Sequence, residues 1–264
     1  MLLGDGTEIF VTYRFQDNGK PPVVFIHGDG QNHTVWKNLM GYFSGKGHSV
    51  LCYDLPGHGL SQPYKDRTYS FSKFVETLKQ VLEEKAIRKP VLVGNSSGGM
   101  IALKYASEKP CGVTCVVAVS SCDVSPAKHN PKLRGEEMIK KYIEASKKLF
   151  QGQGLFDYGN PGLSDEDIFL SAVKNTSPEA IEGNLNAVED YDIRSELRNI
   201  RVPVLLFRGS KDLIITGKWM KRMKEEIPFS KLITLEGYGH HVLLQNPDKI
   251  EEGIIENYSF LMQE

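Results

Sequence analysis

The residues best suited to nucleophilic chemistry are the two serines of "GNSSGG" at 94–99. This segment follows the apolar run "PVLV" and precedes "MIALKYA", a pattern that predicts a strand, a tight turn and a helix. The spacing G-x-S-x-G centres on Ser96, because a frame centred on Ser97 would put Asn95 in the first glycine position. Glycines let a strand and a helix approach closely around a strained serine, and the helix start brings amide groups to its hydroxyl. The pattern therefore predicts Ser96 as a nucleophile.

The elements that would position this serine alternate between apolar runs and amphipathic stretches. The run "TEIFVTYRF" alternates in polarity, which indicates a half-exposed, antiparallel edge strand. Six other runs are almost continuously apolar, which is typical of parallel strands covered on both faces: "PVVFIHG", "SVLCYDL", "PVLVGN", "GVTCVVAVS", "VPVLLFRG" and "KLITLEG". Helical stretches lie between them, such as 69–86 with an apolar stripe at three- and four-residue spacing. The order predicts an α/β fold with a mostly parallel, doubly wound sheet, which binds ligands at the carboxyl ends of its strands.

The alternation of strands and helices breaks once, over residues 123–185. Here the sequence predicts a helix over 138–150, "MIKKYIEASKKLF", and two later helix starts at Ser164 and at Ser177. We expect this segment to be a helical cap over the site. The predicted domains are therefore a core of residues 1–122 and 186–264 and a cap insertion of residues 123–185.

Composition limits the classes of function. The 264 residues are 40% hydrophobic and 25% charged, with a formal net charge of −1, as in ordinary soluble globular proteins. The near-neutral charge gives no reason to expect nucleic acid or an anionic membrane as a partner. No apolar run is long enough for a bilayer span or a signal peptide, which predicts a cytoplasmic protein. The four cysteines are predicted to be reduced and mostly buried.

Four further segments, each in the expected chain order, resemble the α/β-hydrolase family. They are "VVFIHGDG", "YDLPGHGLS", "LLFRGSKDLII" and "LEGYGHHVLLQNP". Together with the serine turn, the resemblance covers nearly the whole chain and implies the α/β-hydrolase fold. It also implies a Ser-His-Asp triad in which Asp212 is the acid and His240 the base that serves Ser96. Gln245 stands where the family more often has glutamate, outside the residues that carry the chemistry.

The resemblance also implies an oxyanion hole made by the backbone amides of Asp29 and Ser97. The side chain of Asp29 is a difficulty, because a negative charge there would oppose the charge that develops on the substrate oxygen. We therefore expect the Asp29 side chain to face outward, with only its amide serving the reaction.

The chemistry needs all three members of the triad. The imidazole takes the serine proton, and the carboxylate holds the imidazole in the right tautomer. Two alternatives remain open: Asp123, which follows the run "VVAVSSC", could be the acid, and His241 could be the base. The turn that ends at Asp212 and the spacing of His240 to the following proline favour the first assignment.

The other histidines lack such a pattern. His27 and His58 each lie in a glycine-flanked turn and are interpreted as structural residues of their loops. His33, His48 and His129 are predicted to lie on the surface.

These residues predict a carboxylic ester hydrolase that cleaves a small to medium ester through an acyl-enzyme on Ser96. A lactonase, a carbon–carbon bond hydrolase with the same triad, and a small-molecule receptor that retains the triad remain open, because one fold supports several chemistries. The predicted partner is a small ester-like molecule, with no cofactor and no metal. A serine at the nucleophile position disfavours dehalogenase and epoxide-hydrolase chemistry, which needs a carboxylate there.

Overall fold

The computed structural model describes residues 1–126 and 163–263, together with residues 140, 144, 147 and 149. Within these residues, seven strands form one sheet in the order β1-β3-β2-β4-β5-β6-β7. The strands are β1 (Val11–Arg14), β2 (Val23–Ile26), β3 (Val50–Tyr53), β4 (Val91–Asn95), β5 (Cys115–Val119), β6 (Val204–Gly209) and β7 (Ser230–Leu235).

The sheet is parallel except at one edge. Strand β1 pairs antiparallel with β3, and all other neighbouring strands pair in parallel. The predicted mostly parallel sheet and its antiparallel edge strand are thus confirmed. The prediction that both faces of "KLITLEG" are covered is wrong, because β7 is the other edge strand and all its residues are at least partly exposed.

Helices cover both faces of the sheet. They are α1 (Lys37–Gly45), α2 (Phe71–Glu84), α3 (Ser97–Glu108), α4 (Asp165–Asn175), α5 (Pro178–Glu189), α6 (Gly217–Glu226), α7 (Val242–Gln245), α8 (Pro247–Glu256) and α9 (Tyr258–Met262), with 3-10 turns at His33–Trp36 and Arg194–Asn199. Along β2, Val24 and Ile26 belong to the buried cluster that includes the apolar faces of α2, α3 and α6. Val23 and Phe25 belong to the cluster on the opposite face, which includes α1 and α8. This period of two is what a strand buried on both faces requires.

Within the predicted cap, the structure describes 123–126, four residues between 140 and 149, and 163–185, which contain α4 and the first part of α5. Both helices begin where the sequence places them: Ser164 and Ser177 are the N-caps, and their hydroxyls accept hydrogen bonds from the amides of Asp167 and Ala180. The helix predicted over 138–150 lies outside the described residues except at 140, 144, 147 and 149. The division into core and cap therefore stays a prediction.

Two smaller findings concern the membrane and the cysteines. Among the described residues, no helix has the length and apolar character needed to cross a bilayer. The four cysteines are free, as predicted; Cys52, Cys115 and Cys122 are buried and Cys111 is exposed.

Candidate active site

Ser96 lies at the sharp turn between β4 and α3. Its backbone adopts φ 50° and ψ −119°, a left-handed conformation that costs a residue with a side chain about 1–3 kcal/mol. The turn is held by the Ser96 amide, which donates to the Val119 carbonyl at 2.8 Å, and by the Ser121 hydroxyl, which donates to the Ser96 carbonyl at 3.0 Å. Neighbouring strand β5 thus fixes a strained serine at the carboxyl edge of the sheet.

The glycines around Ser96 are required by close contact. A Cβ atom on Gly94 would lie 2.4 Å from the carbonyl oxygen of Gly98, and one on Gly98 would lie 2.1 Å from that of Ile26. Both distances are much shorter than the van der Waals contact distance between carbon and oxygen. The start of α3 can therefore pack against the ends of β4 and β2 only because these two positions are glycine.

His240 lies next to the serine. Its Nε2 atom is 3.2 Å from Ser96 Oγ, and its Nδ1 atom is 3.0 Å from Asp212 Oδ2. An ionised carboxylate only accepts hydrogen bonds, so the imidazole proton belongs on Nδ1 and the Nε2 lone pair faces the serine hydroxyl. This is the arrangement in which an imidazole can take the proton of a serine.

Asp212 is held by the loop that follows β6. Its Oδ1 atom accepts hydrogen bonds from the amides of Ile214 and Ile215 at 2.9 and 2.8 Å, which leaves Oδ2 for His240. Burial opposes ionisation of this carboxyl, but the His240 contact and the two amides outweigh it, so the pKa of Asp212 lies below its ordinary value. The loop after β7 is bound to the loop after β6, because the Lys211 amide donates a hydrogen bond to the Tyr238 carbonyl at 2.8 Å.

The alternative acid has a different partner. Both oxygens of Asp123 accept hydrogen bonds from the Arg222 guanidinium of α6, at 2.8 and 2.6 Å. Asp212 and not Asp123 is the carboxylate that contacts His240. Likewise it is His240, rather than the adjacent His241, whose ring joins Ser96 to an acid.

The amides proposed for the oxyanion hole flank the serine. Ser97 is the first residue of α3, and Asp29 follows Gly28, where a Cβ atom would lie 3.1 Å from the Cβ atom of Ser96. Among the described residues, neither amide donates to a protein acceptor. Both N–H groups are thus available to a ligand beside the Ser96 hydroxyl.

Asp29 is an exposed residue whose side chain also contacts the nucleophile turn. Its Oδ1 atom accepts a hydrogen bond from Ser97 Oγ at 3.1 Å. Desolvation raises the pKa of the Asp29 carboxyl group, against the opposing effects of Ser97, His240 and Asn184. The Ser97 hydroxyl is the hydrogen-bond donor that holds the carboxyl group beside the turn.

A family model for the alpha/beta hydrolase fold matches residues 21–153, half of the chain. The chain belongs to the α/β-hydrolase family. A pimeloyl-(acyl-carrier protein) methyl ester esterase of Wigglesworthia glossinidia brevipalpis is 29% identical over 251 residues, which cover 89% of this chain and 92% of that protein.

Solved structures share the fold of this α/β hydrolase. A carboxylesterase structure from Nitrososphaera gargenis superposes with a TM-score of 0.80 and 22% identity, covering 98% of this chain and 97% of that one. The enol-lactonase of Burkholderia xenovorans LB400 gives a TM-score of 0.75 and 21% identity, covering 98% of each chain. At these identities the likeness establishes the fold.

Several polar residues that support the site of this α/β hydrolase carried no sequence signal. Asn175, the last residue of α4, donates to the Gln31 carbonyl at 3.0 Å and accepts from Asn32 Nδ2 at 3.2 Å. Asn184 of α5 donates to His58 Nε2 at 3.2 Å. The loops after β2 and β3 are therefore bound to α4 and α5 by side-chain amides, single residues that no periodic pattern marks.

Three of the other histidines, His27, His33 and His58, lie in the same loops. His27 Nε2 accepts from the Leu55 amide at 2.9 Å, and both His27 and His58 are buried, as structural residues would be. His33 is partly exposed and contacts Asp54 at 3.0 Å. The surface prediction is wrong for His48, which is buried against Tyr258 Oη at 2.6 Å. His129 lies outside the described residues.

In the part of the chain that the structure describes, no three His, Cys, Asp or Glu side chains form a group that could hold a metal ion.

Proposed function

We propose that the protein is a serine hydrolase that cleaves a small to medium carboxylic ester through an acyl-enzyme on Ser96. The observation that carries this proposal is the chain of contacts from Ser96 Oγ through His240 to Asp212, at 3.2 and 3.0 Å. The relatives named above include an esterase, a carboxylesterase and a lactonase, and this range of ester chemistry supports the reaction class.

The proposed reaction begins when Ser96 Oγ bonds to the carbonyl carbon of the ester and its proton moves to His240 Nε2. The amides of Asp29 and Ser97 bind the resulting oxyanion, where one such donor contributes about 3 kcal/mol to lowering the barrier. The intermediate collapses as the carbon–oxygen bond breaks, and His240 gives its proton to the departing alcohol. Asp212 stabilises the imidazolium formed between these steps.

Water completes the cycle. His240, again neutral, takes a proton from a water molecule that attacks the acyl-enzyme. The second intermediate collapses to the acid as the bond to Ser96 Oγ breaks, and His240 returns the proton to that oxygen. Each step uses only side chains and amides of this chain. A lactone would react by the same steps, with its alcohol still attached to the acyl group.

The test is hydrolysis of p-nitrophenyl butyrate at neutral pH by the wild type and Ser96→Ala. We expect Ser96→Ala to lose at least about 100-fold in kcat. Ser72→Ala, which removes an exposed serine of α2, is the matched control and should keep wild-type turnover. Ser97→Ala keeps its backbone amide and should lose less than about tenfold.

Other results would favour the alternatives. Turnover that survives in Ser96→Ala would contradict the assignment of the nucleophile. Negligible wild-type turnover together with saturable ligand binding that persists in Ser96→Ala would favour a small-molecule receptor. Cleavage of a vinylogous 1,5-diketone, with no cleavage of esters, would favour a carbon–carbon bond hydrolase.

A further inference from the structure

Asp29 brings a carboxyl group to the edge of the nucleophile turn. The backbone just before it is so close to the turn that a Cβ atom on Gly28 would lie 3.1 Å from Ser96 Cβ. The carboxyl oxygen itself is 3.1 Å from the hydroxyl of Ser97, the residue that offers the second oxyanion amide. Asp29 therefore lies beside the place where an ester carbonyl would bind to Ser96.

The partners of this carboxyl group are neutral donors. Buried Ser97 donates a hydrogen bond to it, and Asn184 and His240 are near enough to favour its ionised form. Within the described residues, no lysine, arginine or histidine nitrogen lies within 4.0 Å of its oxygens. The desolvation of the group is thus only partly offset, which is the physical cause of its raised pKa.

A carboxylate here affects the reaction. It opposes the negative charge that develops on the substrate oxygen, because it lies beside the start of α3, where the oxyanion would bind. A positive charge on the substrate would supply a counter-charge that no described side chain provides within 4.0 Å of the carboxyl group. The same charge would stabilise both the Asp29 carboxylate and the oxyanion.

We propose that Asp29 is a specificity-determining residue, through which the site selects esters that carry a quaternary or primary ammonium group near the scissile carbonyl. The inference rests on the proposed function, since it names the substrate class of that same site. The proposed hydrolysis at Ser96 is unchanged. The side chain of Asp29 determines which esters the site prefers.

The experiment compares cationic esters with neutral esters of the same shape. Choline butyrate and 3,3-dimethylbutyl butyrate test a charge on the alcohol side. Methyl 4-(trimethylammonio)butyrate and methyl 5,5-dimethylhexanoate test a charge on the acyl side. In at least one pair, the wild type should prefer the cationic ester by about tenfold or more in kcat/KM.

Variants that remove the charge of Asp29 test whether this residue causes the preference for cationic esters. In Asp29→Asn the new amide oxygen can still accept from Ser97 Oγ, and we expect the ratio for the preferred pair to fall to within about twofold of unity. Asp29→Ser removes the same charge with a smaller side chain and should give the same loss. Asp17→Asn changes the net charge equally in an exposed loop at the amino end of the sheet, and should keep the wild-type ratio.

The outcomes separate this inference from the proposed function. Ser96-dependent hydrolysis of the neutral esters, with no cationic preference in either pair, would overturn the role of Asp29 and leave the hydrolase intact. A preference that survives in both Asp29 variants would overturn it as well. Absence of any Ser96-dependent hydrolysis would contradict the proposed function itself, and the inference would fall with it.

Discussion

Asp123 and Arg222 form a two-pronged ion pair, with nitrogen–oxygen distances of 2.8 and 2.6 Å. The Asp123 side chain is fully buried, and the guanidinium is the cation that balances its charge. This pair ties the chain after β5 to α6. It gives the second acidic candidate a structural partner, while Asp212 faces His240.

The two carboxylates should therefore respond differently to the same substitution. Asp212→Asn removes the charge that supports the imidazolium, and we expect kcat for p-nitrophenyl butyrate to fall by about 100-fold or more. Asp123→Asn leaves Arg222 without its counter-charge, and we expect a loss of about 2–3 kcal/mol in unfolding free energy with turnover near that of the wild type. Steady-state rates and urea unfolding of both variants measure this. The opposite pattern, with activity lost in Asp123→Asn and kept in Asp212→Asn, would reverse the assignment.

Gly98 offers a test of how tightly the nucleophile turn is packed. Gly98→Ala would place a Cβ atom 2.1 Å from the Ile26 carbonyl oxygen, so α3 must shift away from β2. We expect destabilisation of about 3 kcal/mol and reduced turnover, because the shift moves the Ser97 amide.

Gly41→Ala is the matched control for that substitution. Gly41 is exposed within α1, and a Cβ atom there would meet nothing within 4 Å. Since alanine favours helix more than glycine does, this variant should gain up to about 1 kcal/mol and keep full turnover. Equal stabilities of the two alanine variants, measured by urea unfolding, would mean that the turn is not constrained as described.

Buried histidines predict a loss of stability in mild acid. Burial lowers the pKa of His58 from 6.5 to about 3, and it also lowers that of His27. The unfolded chain then binds more protons than the folded protein below pH 6.5, so the unfolding free energy should fall as the pH drops from 6.5 toward 3. Each group contributes at most about 1.4 kcal/mol per pH unit in its window.

The variant His58→Gln isolates one of these groups. The glutamine Oε1 atom can accept from Asn184 as His58 Nε2 does, while the side chain no longer titrates. We expect a shallower decline of unfolding free energy between pH 6 and 4, whatever the stability of the variant at pH 7. Urea unfolding at several pH values gives the slopes. Identical slopes for wild type and variant would show that His58 is not kept neutral by burial.

The sequence predicted the features that depend on local pattern. The sheet follows from near-continuous apolar runs, and the turn at Ser96 follows from glycines at fixed spacing, which the close contacts of Gly94 and Gly98 explain. The caps at Ser164 and Ser177 were found because a cap acts within one helical turn.

Features that depend on contacts between distant segments were not predictable. The contact of Asp29 with the Ser97 hydroxyl joins residues 68 positions apart in the chain. The burial of His48 depends on Tyr258, 210 residues later. The exposure of β7 depends on its place at the edge of the sheet, which apolar content alone does not reveal.

The most direct test of the proposed nucleophile is covalent labelling with a fluorophosphonate, followed by mass spectrometry of the tryptic peptide 89–104, which contains both serines of the turn. We predict one phosphonyl group per chain, located on Ser96 by fragmentation, and no label in folded Ser96→Ala. Asp212→Asn should be labelled more slowly, because its imidazole is less well held. A label on Ser97 or on another residue, or a folded wild type that does not react, would contradict Ser96 as the activated nucleophile.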